Sequence, residues 1–206
     1  MTGKFIVIEG LEGAGKSTAV TAVEHWLEQR GIHYRCTREP GGTPLAEGIR
    51  QLVKHGVDDD IPSSNTELLL MYAARAQLVD TVIQPTLSEG IWVIGDRHDL
   101  SSRAYQGGGR ELGLNKLSQL KQLAIEDFEP DLTLYLDIDP RIGLERARSR
   151  GALDRIEKQH IAFFDRAREV YLAEAETNPR VVRIDASQDM QAVAEAIAQA
   201  LSQQLG

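Results

Sequence analysis

The 206-residue chain predicts an α/β fold with a mostly parallel sheet and helices on both faces. Three observations carry this: short β-branched runs, longer helically spaced stretches alternating with them, and a glycine-rich turn joining the first strand to the first helix. The strand-like runs are residues 5–9 (FIVIE), 33–37, 91–95 (IWVIG), 132–137 (LTLYLD) and 181–185 (VVRID). Helical spacing covers 16–30, closed by Gly31 as a C-cap, and then 66–87, 114–127, 140–150, 159–176 and 189–203. A short helix is expected after Thr43. Asp139 followed by Pro140 has the form of an N-cap and an N1 proline. In such folds ligands bind at the carboxyl ends of the strands, so the residues just after each strand draw the most attention.

Composition bounds what this fold serves. A hydrophobic fraction of 42% with 26% charged residues describes one globular unit, taken as a single domain over 1–206 with a small lid near 146–157. Twenty-three basic against 31 acidic residues give a net charge of −8, the wrong sign for gripping a polymeric nucleic acid. Cys36 is the only cysteine, which excludes an intrachain disulfide and favours a reducing compartment, hence the cytoplasm. No signal-peptide pattern or membrane-spanning apolar run is present. The five histidines lack metal-ligand spacing, and Asp58, Asp59 and Asp60 suit a solvated loop.

The strongest motif is Gly10-Leu11-Glu12-Gly13-Ala14-Gly15-Lys16-Ser17, which fits G-x-x-x-x-G-K-[ST] between a strand and a helix. Its glycines let backbone N–H groups turn inward around phosphate oxygens, and the helix N-terminus adds partial positive charge. With Thr18 these residues form the expected nucleoside triphosphate site, in which Lys16 reaches the β- and γ-phosphates and Ser17 ligates Mg²⁺. None of the loop's variable positions is basic. Arg146, Arg148, Arg150 and Arg155, clustered around Gly151, are therefore the candidate second cation for phosphoryl transfer, carried on a flap that closes over the phosphates.

A second ligand is suggested by further post-strand residues. Asp96-Arg97 follows the third run, where the carboxylate could hold the metal or its water and the arginine point into the crevice. Asp137 competes for the metal role at the end of the fourth run. Arg38-Glu39-Pro40-Gly41-Gly42-Thr43 turns after the second, with Arg50 on the helix beyond. Glu67, Met71 and Arg75 form an i, i+4, i+8 stripe, so Arg75 either pairs with Glu67 or Asp80 or offers its fork to a ligand carbonyl. Residues 101–110 read as a polar segment relaxed by glycine, in which Gln106 suits the amide edge of a pyrimidine.

Together GLEGAGKST, TREPGGT, YAAR, GDRHDLSS, AYQGGGR and RARSRGALDR resemble bacterial thymidylate kinases, P-loop nucleoside monophosphate kinases, over residues 4–168. The resemblance implies a five-stranded parallel core in a homodimer that uses ATP and Mg²⁺ to phosphorylate dTMP to dTDP, for dTTP synthesis. By position, Arg50 and Arg97 would bind the dTMP phosphate, Arg75 the thymine carbonyl, and Gln106 and Ser102 would lie near the base. Tyr105 would crowd the 2′ position, Glu12 would meet the sugar 3′-hydroxyl, and Glu39 would belong to the acceptor site. Lys16, Glu12, Arg97 and Arg150 would be catalytic, Arg150 as the lid arginine. Met71 stands where the family usually stacks phenylalanine on thymine, and His98 where many relatives have tyrosine. Rival readings are another nucleoside monophosphate or small-metabolite kinase, or a nucleotide-dependent switch; the guanine-reading N-K-x-D of many switches is not present.

Overall fold

The structure is a computed structural model that describes residues 2–149 and 155–206. Five strands, β1 (Phe5–Gly10), β2 (Tyr34–Arg38), β3 (Trp92–Asp96), β4 (Leu132–Asp137) and β5 (Val181–Asp185), form an all-parallel sheet in the order β2-β3-β1-β4-β5. Each predicted run became a strand. β1 and β4 are buried along their whole length, as expected where helices cover both faces and a strand reads as a continuous apolar run.

The two-residue alternation of β1 sorts the core. Ile6 and Ile8 face α1 (Lys16–Glu28) and α9 (Met190–Leu205), packing with Trp26, Leu27, Ile197 and Leu201. Phe5 and Val7 face the opposite layer with Leu78, Val79 and Ile83. Glu9, next in the same alternation, is carried into that second layer and is fully buried. α2 (Pro44–His55) starts at Thr43, whose side chain accepts the Ala46 N–H at 3.1 Å. Asp139 caps α7 (Pro140–Arg148) by accepting the Arg141 N–H at 2.8 Å, with Pro140 in the first turn. α6 (Leu114–Ile125) and α8 (Ile161–Thr177) complete the layers.

Two helical expectations change. The stretch expected over 66–87 is α3 (Ser64–Leu78), a π-type turn (Val79–Ile83) and α4 (Gln84–Ser88). Pro85 supplies no N–H to the carbonyl four residues back, and the wide turn sits directly before it. The glycine-relaxed segment is in fact helical: α5 (Asp99–Ser102) runs into a π-type turn (Arg103–Gly109). Its glycines serve close packing. A Cβ on Gly108 would lie 2.9 Å from the Arg166 carbonyl oxygen, and one on Gly109 would lie 2.5 Å from the Phe163 ring, so α8 can press onto this turn. The lid expectation over 146–157 is partly described: Arg150 and residues 151–154 lie outside the described residues.

Candidate active site

The strand ends align so that the loops after β1, β2 and β3 converge on one cleft of about 280 Å³. Gly15 precedes α1 at φ 87°, a left-handed conformation that glycine adopts without strain. No side chain caps α1, which leaves its first amides aimed at the cleft. Gly13, at φ 74°, lies against α7; a Cβ there would stand 2.0 Å from the Gly143 carbonyl oxygen. Leu11 and Ala14 bury their side chains in the core, so their share in the cradle is backbone alone. Lys16 donates to the Gly10 and Leu11 carbonyls, both at 3.1 Å. Burial, aided by the nearby Arg97 charge, pulls its ammonium down to about 8. Ser17 and Thr18 lie exposed on the first turn of α1, and Ser17 lines the cleft.

Arg97, directly after β3, has φ 73°, a left-handed conformation that costs a non-glycine residue ~1–3 kcal/mol unless its surroundings impose it. They do so here. Its N–H donates to the Ile8 carbonyl at 2.9 Å, and its guanidinium donates to Gly10 O at 3.1 Å, Ser101 Oγ at 3.0 Å and Glu12 Oε1 at 2.9 Å. The Tyr105 hydroxyl donates to the other Glu12 oxygen at 2.7 Å. Arg97, Glu12 and Tyr105 thus form one group beside the phosphate loop. Arg50 enters from α2, anchored on the Pro40 carbonyl at 2.8 Å; burial, then the charge of Arg38, lowers its pKa.

The two metal candidates separate. Asp96 lines the cleft with Ser17, and its buried Oδ1 has no hydrogen-bond partner among the described residues. A carboxylate oxygen so placed suits a divalent ion that takes one or two carboxylates and completes its shell with phosphate oxygens and water. Asp137 is committed elsewhere: it accepts from Arg168 at 2.8 and 3.1 Å, from Arg183 at 3.0 and 2.6 Å and from Tyr135 at 2.9 Å.

At the far end of the cleft the expected base contacts are rearranged. Arg75 is fully buried and, with Ser102, lies behind the cleft wall. Its guanidinium donates to Glu39 at 2.8 Å, Ser102 Oγ at 2.9 Å, the His98 carbonyl at 3.1 Å and Asp99 at 3.4 Å. The anticipated partners Glu67 and Asp80 are not the ones used, because helical spacing says nothing about what the β2 and β3 loops bring to the same point. Burial opposes ionisation of Glu39, but Arg75 and His98 outweigh it and hold its carboxyl below the usual range. Glu39, Met71 and Gln106 reach the cleft. Gln106 Nε2 donates to Glu67 at 2.9 Å, and its buried Oε1 has no partner among the described residues. An ionised carboxylate only accepts, so Glu67 turns Nε2 toward itself and Oε1 away from itself.

The three described flap arginines, Arg146, Arg148 and Arg155, do not act as one group. Arg146 donates to the Ala186 carbonyl at 3.2 Å, beyond β5, and Arg155 turns to Glu67 and the Val53 carbonyl. Arg148 is exposed. Ile156 and Glu157 line the cleft.

Two residues escaped the sequence reading. Glu9 accepts the N–H of His98 at 2.9 Å and of Ser101 at 3.0 Å, the Ser101 hydroxyl at 2.6 Å and the Tyr171 hydroxyl at 2.8 Å. It holds the turn that carries Arg97, while burial pushes its carboxyl up. An acid inside an otherwise apolar strand was the signal. Glu67, fully buried yet bound to Arg110 and Arg155 as well as Gln106, gave no local signal beyond its place in the α3 stripe.

This chain is similar to known proteins along its whole length. The sequence model of the thymidylate kinase family matches residues 8–197. A thymidylate kinase of Idiomarina loihiensis is 56% identical over 205 residues, covering 100% of each chain. One of Photobacterium profundum is 57% identical over 203 residues, covering 98% of this chain and 97% of the relative. One of Vibrio parahaemolyticus is 56% identical over 206 residues, covering 100% and 98%. A glycine-rich loop of this form opening on one cleft, in a chain matched from end to end by these relatives, makes the chain a member of the thymidylate kinase family.

Proposed function

We propose that this chain transfers the γ-phosphate of ATP to the phosphate of dTMP, giving dTDP for dTTP synthesis. The observation that carries this is the meeting of both half-sites at one point: Arg97 donates to the Gly10 carbonyl of the phosphate loop and to Glu12, while lining the same cleft as Gln106 and Met71. Two polyanions facing each other need cations between them, and positioning with charge neutralisation then supplies most of the catalysis.

In this reading the loop amides and Lys16 hold the donor phosphates, and Arg97 with Arg50 holds the acceptor phosphate. The acceptor oxygen is already anionic, so no side chain has to remove a proton. Ser17 and Asp96 would hold Mg²⁺, which supplies further charge neutralisation when bound. Glu12 and Tyr105, fixed to each other and to Arg97, would meet the sugar, Glu12 at the 3′-hydroxyl and Tyr105 where a ribose 2′-hydroxyl would otherwise fit. Gln106 Oε1 would accept the N3–H of thymine, with Met71 against the ring. Arg75 and Ser102 would act from behind, by fixing Glu39. Residues 146–157 would be the lid and Arg150 its arginine on the transferring group. We also read the chain as a cytoplasmic homodimer. Leu69 on α3 and Leu123 on α6 are 57% and 83% exposed, on helices that pack together, and the exposed free Cys36 suits a reducing compartment.

The test is an acceptor panel, with ADP release measured on dTMP, dUMP, dCMP, AMP and shikimate. We expect dTMP to give the highest kcat/KM. Preference for another acceptor, or equal ATP hydrolysis with no acceptor present, would refute the reading.

A further inference from the structure

Glu67 gathers three side chains, two from the π-type turn and one from far along the chain. One is the base-facing amide of Gln106. Another is Arg110, which ends the π-type turn and donates to Glu67 at 3.3 and 3.1 Å. The last is Arg155, whose Nη2 donates both to Glu67 and, at 2.9 Å, to the Val53 carbonyl. Gln159 closes the ring, accepting from Arg110 at 3.0 Å and donating to the Arg155 carbonyl at 3.2 Å. Val53 belongs to the last turn of α2, whose free carbonyls favour a cation. Burial alone would disfavour a charged Glu67; hydrogen bonds from Gln106 and Arg155, with Arg110, reverse that and keep it ionised.

A fully buried carboxylate that loses one of two cationic partners is left undercompensated, so the arrangement is favoured only when all its members are present. We propose that Glu67 is a positioning residue that latches the segment carrying Arg155 to the base pocket: the carboxylate that turns the Gln106 oxygen toward the base is the same one that holds Arg155 against α2. The place of Arg155 beside the cleft is then set from the nucleobase end. An acceptor whose base engages Gln106 steadies Glu67 and through it Arg155, whereas one that does not gains only the phosphate contacts. This deepens the dTMP kinase reading, and its kinetic arm rests on that reading.

The kinetic arm uses Arg155→Ala, Gln106→Ala and their double variant in the full-length protein. Arg155→Ala should raise KM for dTMP ~10-fold while KM for ATP stays within ~2-fold, because binding on the base side alone is weakened. The double variant should fall short of the product of the two single effects by ~3-fold or more, as coupled neighbours do. A purely structural role would move both KM values together. A second arm needs no substrate: trypsin cleavage after Arg155 in ligand-free protein, followed by mass spectrometry, should be ~10-fold faster in Glu67→Gln than in the parent, as expected when the local opening that exposes the bond becomes easier. Arg155→Ala leaves Arg110 and Gln106 on Glu67, so the kinetic arm stands even if Glu67→Gln fails to fold. An unchanged KM for dTMP in Arg155→Ala, multiplicative effects in the double variant, or unchanged cleavage in folded Glu67→Gln would overturn the latch. If the parent turns over no dTMP, the substrate reading fails by itself, and the cleavage rates still decide the latch.

Discussion

The donor end of the cleft and its base end solve opposite electrostatic problems. At the donor end the machinery is contiguous, residues 10–18, and mostly backbone. Lys16 donates to loop carbonyls, and burial with the Arg97 charge pulls its ammonium down to about 8 against the opposing pull of Glu12, Asp96 and Glu9. At the base end the cations are already satisfied by the protein's own carboxylates. Arg75 is held by Glu39 and Asp99, Arg110 and Arg155 by Glu67, and among the described residues the Gln106 Oε1 acceptor is left without a partner. The contrast teaches how one cleft divides its labour. A backbone cradle with a lysine at its end attracts any polyphosphate, whereas a pocket of paired charges with an oriented amide discriminates by shape and hydrogen bonding.

The sharpest way to break that contrast is to remove one cation from each end. Arg75→Ala strands the buried Glu39 carboxylate, so the protein should lose ~3–5 kcal/mol of stability in a denaturant titration. KM for dTMP should rise as Glu39 relaxes. Unchanged stability would mean that the base end is not built on compensated charge. Lys16→Met should behave the other way, with kcat lower by ~10²–10³ and no loss of stability. The sign follows from linkage. The folded-state pKa of Lys16 lies below its unfolded value, so the folded state resists protonation. This unfavourable contribution is fully present below about 8 and fades as pH rises from there toward the ordinary lysine range. A marked drop in thermal stability would show that the donor end is compensated after all.

The smallest effect concerns pH. Bound triphosphate favours charged Lys16, so ATP binding above pH 8 should take up a proton, and affinity should fall by up to ~10-fold per pH unit. Calorimetry in buffers of different ionisation enthalpy reads this directly. Zero uptake at pH 9 would sharpen the comparison by assigning the donor field to the loop amides rather than to Lys16.

How far each end could be read in advance follows the same division. The phosphate loop, the five strands and the Asp139–Pro140 start of α7 were legible because each depends on residues within a few positions of one another, where spacing and backbone geometry are set locally. The glycines after Gln106 misled, since glycine permits slack and close contact alike, and only α8 pressing on them decides which. Asp96 and Asp137 looked alike at their strand ends; the arginines brought by α8 and β5 to one of them made the difference.

By itself, then, the order of residues determined the alternation of strands and helices, the cradle that opens α1 and the membership in a family of nucleotide kinases. The tertiary structure alone decided which carboxylate meets which guanidinium: that Arg75 faces Glu39 and Asp99, that Glu9 holds the turn under Arg97, and that Glu67 gathers Gln106, Arg110 and Arg155. The reason is physical. Backbone conformation responds to neighbours along the chain, whereas charge compensation in a low-dielectric interior depends on distances between groups 20 to 100 residues apart, and those exist only once the sheet has closed and the helices have docked.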